Sequence, residues 1–266
     1  MKYIKQIFLS IMSFILLITS VIASASKIPL VLIVLLFPIM GIIGILFGYI
    51  LAPLLLLIYK KIIGRNLLFG IQDSPTPKKF TGVFKGIFPA LMSTSISLSL
   101  IFRPEFMSNP LLSDFYKETN GIILLFFILC TFSISITTAL FSAAWFIIDS
   151  GIITANKKKA INRGIPIEVK SAGGWYLTFL KGYAGIGALI GLYTFFGQIV
   201  QNYGSKIHFS IPLIFIPLPI LLSLWILPAF ILLDKTFESR KNFILRFGKT
   251  IGIKNEIEVK IEKLEI

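Results

Sequence analysis

Long uninterrupted apolar runs, separated by short polar stretches, set the pattern of this chain. The runs are Ile7–Ala25, Ile28–Tyr59, Gly86–Phe102, Gly121–Ile148, Gly182–Gln201 and Ile211–Leu233. A helix needs ~20 apolar residues to cross a ~30 Å hydrocarbon core, and these runs reach or approach that length. Backbone groups in lipid must be bonded internally, which leaves helices or a closed barrel. Barrel strands alternate over ~10 residues, and no run here alternates. The pattern predicts an all-α, polytopic helical membrane protein: six transmembrane helices over residues 1–233, then a basic amphipathic tail over 234–266. Composition agrees, with 56% hydrophobic and 14% charged residues, where soluble domains carry ~45–50% and ~25%.

Several runs carry their own expectations. Ala23-Ser24-Ala25 has the small-x-small form of a signal cleavage site, but the apolar part is long for a signal peptide and the next run begins at Ile28. A retained first span is the preferred reading. As a straight helix the second run would be ~48 Å long at 1.5 Å per residue. It must therefore tilt, kink near Pro38 or Pro53, or project past the headgroups. Gly44 and Gly48 form a GxxxG step there, and Gly187 and Gly191 form a second in the fifth run; both are candidate helix-packing positions. With Gly182, Gly185 and Gly197 added, the fifth span is expected to be the most tightly surrounded. Pro212, Pro217, Pro219 and Pro228 predict that the sixth is not straight.

Hydroxyls are the main polar groups inside the runs. Ser93, Thr94, Ser95, Ser97 and Ser99 lie in the third, and Thr131, Ser133, Ser135, Thr137, Thr138 and Ser142 in the fourth. At helical spacing the serines of the third span point to several faces. One reading has these groups bonding to their own helix backbone or to neighbouring helices. The other has Ser93, Ser95, Ser97, Ser99, Thr131, Ser135 and Thr138 lining a pore.

Charge sets the orientation. The net charge of +14 would suggest nucleic acid in a soluble chain, but no nucleic-acid motif accompanies it and no such partner is expected. Lys and Arg are dense at 60–85, at 150–171 and after Leu233, and sparse around Lys27, at 103–120 and at 202–210. That alternation is what the positive-inside rule gives for six spans in the cell membrane with both termini cytoplasmic. The basic segments then face anionic lipid headgroups.

Two of the basic loops resemble one another. KKIIGRN…FTGVFKG, ending at Gly86, is echoed by KKKAINRG…WYLTFLKG over Lys157–Gly182, and the second Lys-Gly step lies 96 residues after the first. The echo suggests a degenerate tandem repeat relating spans two–three to spans four–five. Under it, Lys85 and Lys181 both mark the cytoplasmic end of a span, and Trp175 and Tyr176 lie in an interfacial segment with the aromatic belt. The tail's first half, KTFESRKNFILRFGK, suits an interfacial helix on an anionic membrane surface. Lys254–Ile266 fits either a helix or a strand, as a short partner-binding element or as a solvated tail.

Motifs for chemistry are few. Cys130 is the one cysteine and His208 the one histidine, so HExxH, a haem held by paired histidines and a multi-cysteine metal site are excluded. Two facing carboxylates, GxSxG, a P-loop and GxGxxG are also missing from the runs. Neither enzymatic activity nor a cofactor is expected. Two functions fit: a structural or accessory membrane component that contacts lipid and a membrane or cytoplasmic protein partner, or a small permease or channel whose hydroxyl-lined path runs between spans three and four.

Overall fold

A computed structural model describes residues 4–22, 28–64, 66–70, 81–101, 103–117, 119–156, 168–203 and 218–255. The cleavage-site alanines, the Ser74–Pro77 breaker, Lys157–Lys159, His208, Pro212, Pro217 and residues 256–266 lie outside them. About 85% of the described residues are helical. The helices are α1 (Ile4–Ile22), α2 (Ile28–Leu57), α3 (Thr81–Ile101), α4 (Pro104–Met107), α5 (Thr119–Asp149), α6 (Ala172–Tyr203), α7 (Leu218–Trp225), α8 (Leu227–Lys235) and α9 (Phe237–Thr250). Among the described residues three helical stretches are long and apolar enough to cross a membrane: Val31–Ile62, Gly121–Asp149 and Ala172–Gly197. The α7–α8 pair, bent by 41°, makes a fourth when taken as one span.

The irregularities fall where the backbone chemistry requires them, though not always where expected. α2 runs as one helix through both Pro38 and Pro53. Its irregularity comes later, as a π-helical turn at Ile58–Ile62 closed by Ile63 N–H donating to Ile58 O at 3.0 Å. The sixth apolar run is broken at Ile226, between α7 and α8. Pro228 has no N–H to give the carbonyl four residues back.

There are four short strands, three in segments expected to be loops and one at the start of Lys254–Ile266, where helix and strand were both open. They are β1 (Leu67–Phe69), β2 (Ile152–Asn156), β3 (Glu168–Ser171) and β4 (Lys254–Asn255). They form one sheet in the order β3-β2-β1-β4. β2 pairs antiparallel with β1, placing Leu67 opposite Thr154 and Phe69 opposite Ile152. β3 is antiparallel to β2 and β4 is parallel to β1. Gly151, at φ +72°, makes the tight turn from α5 into β2. Both basic loops and the tail thus meet in a single sheet.

The chain forms two compact units. The first comprises Met1–Gly44, Lys79–Thr138 and Lys181–Leu232. In it Trp225 stacks on Phe14 at 4.3 Å between ring centroids, and its Nε1–H donates to Val34 O at 2.7 Å. Gly86 admits α7 and α8 closely: a Cβ there would lie 2.9 Å from Ser223 O and 3.3 Å from the Phe230 ring. The second unit comprises Ile45–Lys78, Ala139–Leu180 and Leu233–Ile266, and it holds the sheet. Tyr49 meets the Phe146 and Phe243 rings edge-on, and Gly248 on α9 sits over Phe69 of β1.

The fifth apolar run departs from expectation in two ways. α6 is one continuous helix from Ala172, so Trp175, Tyr176 and Lys181 lie on the same helix as the apolar run that begins at Gly182. It is also the least enclosed of the three long stretches, with 22% of its apolar window buried against 61% for α5. The reason is angular. Gly187 and Gly191 lie on one face and pack on Ser95, while Gly182, Gly185 and Gly197 point where nothing lies within 4 Å of a Cβ. Small residues on opposite faces do not add up to one seam.

Gly173 and Gly182 make a matched test. A Cβ at Gly173 would collide with Ala144 O and lie 2.8 Å from Ile148. We expect Gly173→Ala to destabilise by about 1–3 kcal/mol. Gly182→Ala should be neutral or stabilising by up to about 1 kcal/mol, the ordinary helix gain. Denaturation of the two variants in detergent separates these outcomes.

Candidate functional site

The hydroxyls of α3 and α5 form a continuous seam in the first unit. Ser93 Oγ donates to Cys130 O at 2.9 Å and lies 2.7 Å from Ser133 Oγ. Ser97 Oγ donates to Ser93 O at 2.8 Å and is 3.3 Å from the same Ser133 hydroxyl. Thr94, Ser99, Thr131, Ser135 and Thr137 each bond back to a carbonyl three or four residues earlier in their own helix. Thr131 also approaches Ile33 O of α2 at 3.4 Å. Ser95 faces elsewhere, into the α6 backbone at Gly187 and Gly191. Of the seven candidate pore-lining residues, the structure brings Ser93 and Ser97 together, around Ser133. It leaves Ser95, Ser99, Thr131, Ser135 and Thr138 in separate surroundings. Thr138 Oγ1 is buried with no hydrogen-bond partner among the described residues; its Cβ lies 2.8 Å from where Gly44 would carry one.

Glycine spacing explains how α2 and α5 approach. A Cβ at Gly44 would also collide with Ser135 O. In the second unit, a Cβ at Gly48 would lie 2.8 Å from Ser142 Cβ. Along α2 the GxxxG step presents bare backbone twice to the same partner helix, one turn apart.

A buried ion pair, invisible in the sequence, organises the second unit. Arg240 of α9 is fully buried, and its Nη1 donates to Asp149 Oδ2 at 2.7 Å at the end of α5. Nη2 donates to Leu233 O at 2.6 Å. The guanidinium lies over the Phe146 ring at 4.9 Å and the Phe237 ring at 5.9 Å. Its Nε has no partner among the described residues. α9 therefore turns Arg240, Ile244 and Gly248 inward against its own chain. Its outward side carries Arg246 and Lys249. Of the tail's apolar residues, Phe237, Leu245 and Phe247 are half-buried and Phe243 is exposed. Lys60, at the π turn, donates to Ile251 O and so caps the carbonyl end of α9.

The interfacial residues lie as follows. Trp175 is 55% exposed and meets the Tyr59 ring edge-on at 6.1 Å. Tyr176 and Lys85 are half-buried, and Lys181 is exposed, with its Nζ 5.0 Å from the centre of the Phe88 ring. On the connection between α3 and α5, Lys117 Nζ pairs with Asp114 at 2.5 Å. The hydrogen bond and charge of Lys117 hold the Asp114 carboxyl below its usual range. Both groups are fully solvated, so the pair adds little to stability. No group of three metal-ligating side chains occurs among the described residues.

Together these features define a helical protein with several apolar helices compatible with a membrane. No protein-family model matches the chain, and no curated protein or solved structure matches it either.

The ion pair yields a directional expectation. Arg240→Met takes the buried guanidinium away from Asp149 and should destabilise by about 3–5 kcal/mol. Adding Asp149→Leu should recover part of that loss, because an apolar pair no longer strands a charge. A double-mutant cycle by thermal or denaturant unfolding measures the coupling.

Proposed function

We propose that this chain is a multi-span integral protein of the cell membrane, threaded six times with both termini cytoplasmic, and that it is a non-enzymatic structural or accessory component. The sheet is the observation that supports the threading. Segments hydrogen-bonded in one sheet lie on one side of a bilayer, so an even number of crossings separates them. α5 lies between β1 and β2, which makes α3 its return crossing. α6 lies between β3 and β4, which makes the bent α7–α8 pair its return. α1, after Lys2 and Lys5, then enters from the basic side and α2 comes back to it.

The tandem arrangement gains support from the same strands. β1 follows α2 and β2 follows α5, and the two pair antiparallel. Parallel repeats related by an axis along the membrane normal bring equivalent in-plane strands together in that sense.

The accessory reading rests on how the polar groups are used. Ser93, Ser97 and Ser133 bond to each other and to carbonyls across a buried helix seam, as packing requires. The exposed Arg246 and Lys249 offer basic contacts to lipid headgroups or to a protein partner. A second reading, a permease or channel with its path between spans three and four, draws on one observation: the unpartnered, buried Thr138 hydroxyl, which water in a path would satisfy.

Cysteines at Ser95 and Thr137, in a chain whose Cys130 is replaced by alanine, distinguish the two. Under the accessory reading a membrane-impermeant thiol reagent labels neither. Rapid labelling of either would favour a water-filled path.

A further inference from the structure

Lys181 poses a specific physical problem. It lies nine residues after the first residue of α6, ~13 Å along the axis at 1.5 Å per residue. It therefore falls inside the apolar stretch Ala172–Gly197. Its side chain is exposed, and the Phe88 ring is the neighbour of its ammonium. Among the described residues it pairs with no carboxylate. The described carboxylates of its unit are Glu105 and Asp114, both on the connection beyond the far end of α3. A lysine facing lipid does not leave its charge in hydrocarbon; its stem lies along the apolar surface and carries the ammonium toward the nearer headgroups. Helical side chains lean toward the N-terminus of their helix, so Lys181 leans toward the sheet end of α6.

The surface beside Lys181 is shaped for a lipid tail. Nothing lies within 4 Å of a Cβ at Gly182 or Gly185, so the outward side of α6 is open at both. Exposed Ile186, Leu189 and Ile190 continue it with apolar side chains. α3 is held against α6 through Ser95 at Gly187 and Gly191, and this keeps Phe88 under the ammonium. Lys85, one turn before Phe88 on α3, adds a second positive charge at that end of the helix pair.

We infer that Lys181, backed by Phe88 on the α3–α6 pair, is the anchor of a site for one anionic phospholipid, its phosphate at the ammonium and an acyl chain along Gly182, Gly185 and Leu189. This rests on the membrane reading above and names the lipid class that reading leaves open. Zwitterionic lipids offer the same tails, so the selectivity comes from net headgroup charge.

The test uses the full chain purified in mild detergent and titrated with phosphatidylglycerol, phosphatidylcholine or soluble glycerol phosphate, with thermal unfolding as the readout. Phosphatidylglycerol should raise the melting temperature of the wild type and of Lys181→Arg. For Lys181→Gln the apparent affinity should fall roughly fivefold, the effect of one basic residue at an anionic surface. Lys117→Gln, on the connection beyond the far end of α3, should respond as the wild type does. An undiminished response in Lys181→Gln, or an equal one to phosphatidylcholine or to glycerol phosphate, overturns the site. Alkaline carbonate extraction of cell membranes reports separately on the underlying reading: release of the chain would sink membrane insertion itself, whereas retention without lipid selectivity would sink only the site.

Discussion

Hydrocarbon accepts apolar side chains and rejects unpaired backbone groups, and under the proposed membrane reading most features of this structure answer that double constraint. α2, α5 and α6 are each 30–32 residues long and satisfy their own ladders. Their outward faces carry Leu35, Leu36, Ile50, Phe132, Ile136, Leu189 and Tyr193, side chains that water would not reward on a surface. Where such helices meet, burying apolar area contributes little, since lipid tails are as apolar as leucine. The contacts instead use bare glycine backbone and small hydroxyls, as at Gly44 against Thr138 and Ser95 against Gly191.

Polar interactions gather in the second compact unit, where the basic loops and the tail form the sheet. Arg240, Asp149 and Leu233 O bind the tail helix to the ends of α5 and α8. A buried pair of this kind is a modest stabiliser, because desolvation offsets most of its Coulomb energy. Its effect is specificity: with Arg240 inside, only one face of α9 can turn outward, and that face carries Arg246 and Lys249. Lys60 adds a second tie at the carbonyl end of the same helix.

The long apolar helices were legible because length and hydropathy alone define them. The run Gly121–Ile148 differs from α5 by at most two residues at either end, and Ile28–Tyr59 covers α2 and the first residues of its π turn. What escaped depends on contacts distant in sequence. The strands are two to five residues long, too short for alternation to show, and are fixed by partners far along the chain. Asp149 and Arg240 stand 91 residues apart and look like ordinary span-end and tail charges until folded. The glycines of α6 were counted together although they point to opposite faces. The serines of α3 were read as pointing to several faces, and Ser93 and Ser95 do meet different helices. Whether they line a path or a seam depends on neighbours that periodicity does not name.

Paired topology reporters, fused at each terminus and inserted after Asn109 between α3 and α5, address the central claim most directly. An even-numbered threading with the sheet inside predicts cytoplasmic signal from both ends and an external signal from Asn109. Termini on opposite sides, or Asn109 sharing a side with them, would contradict it.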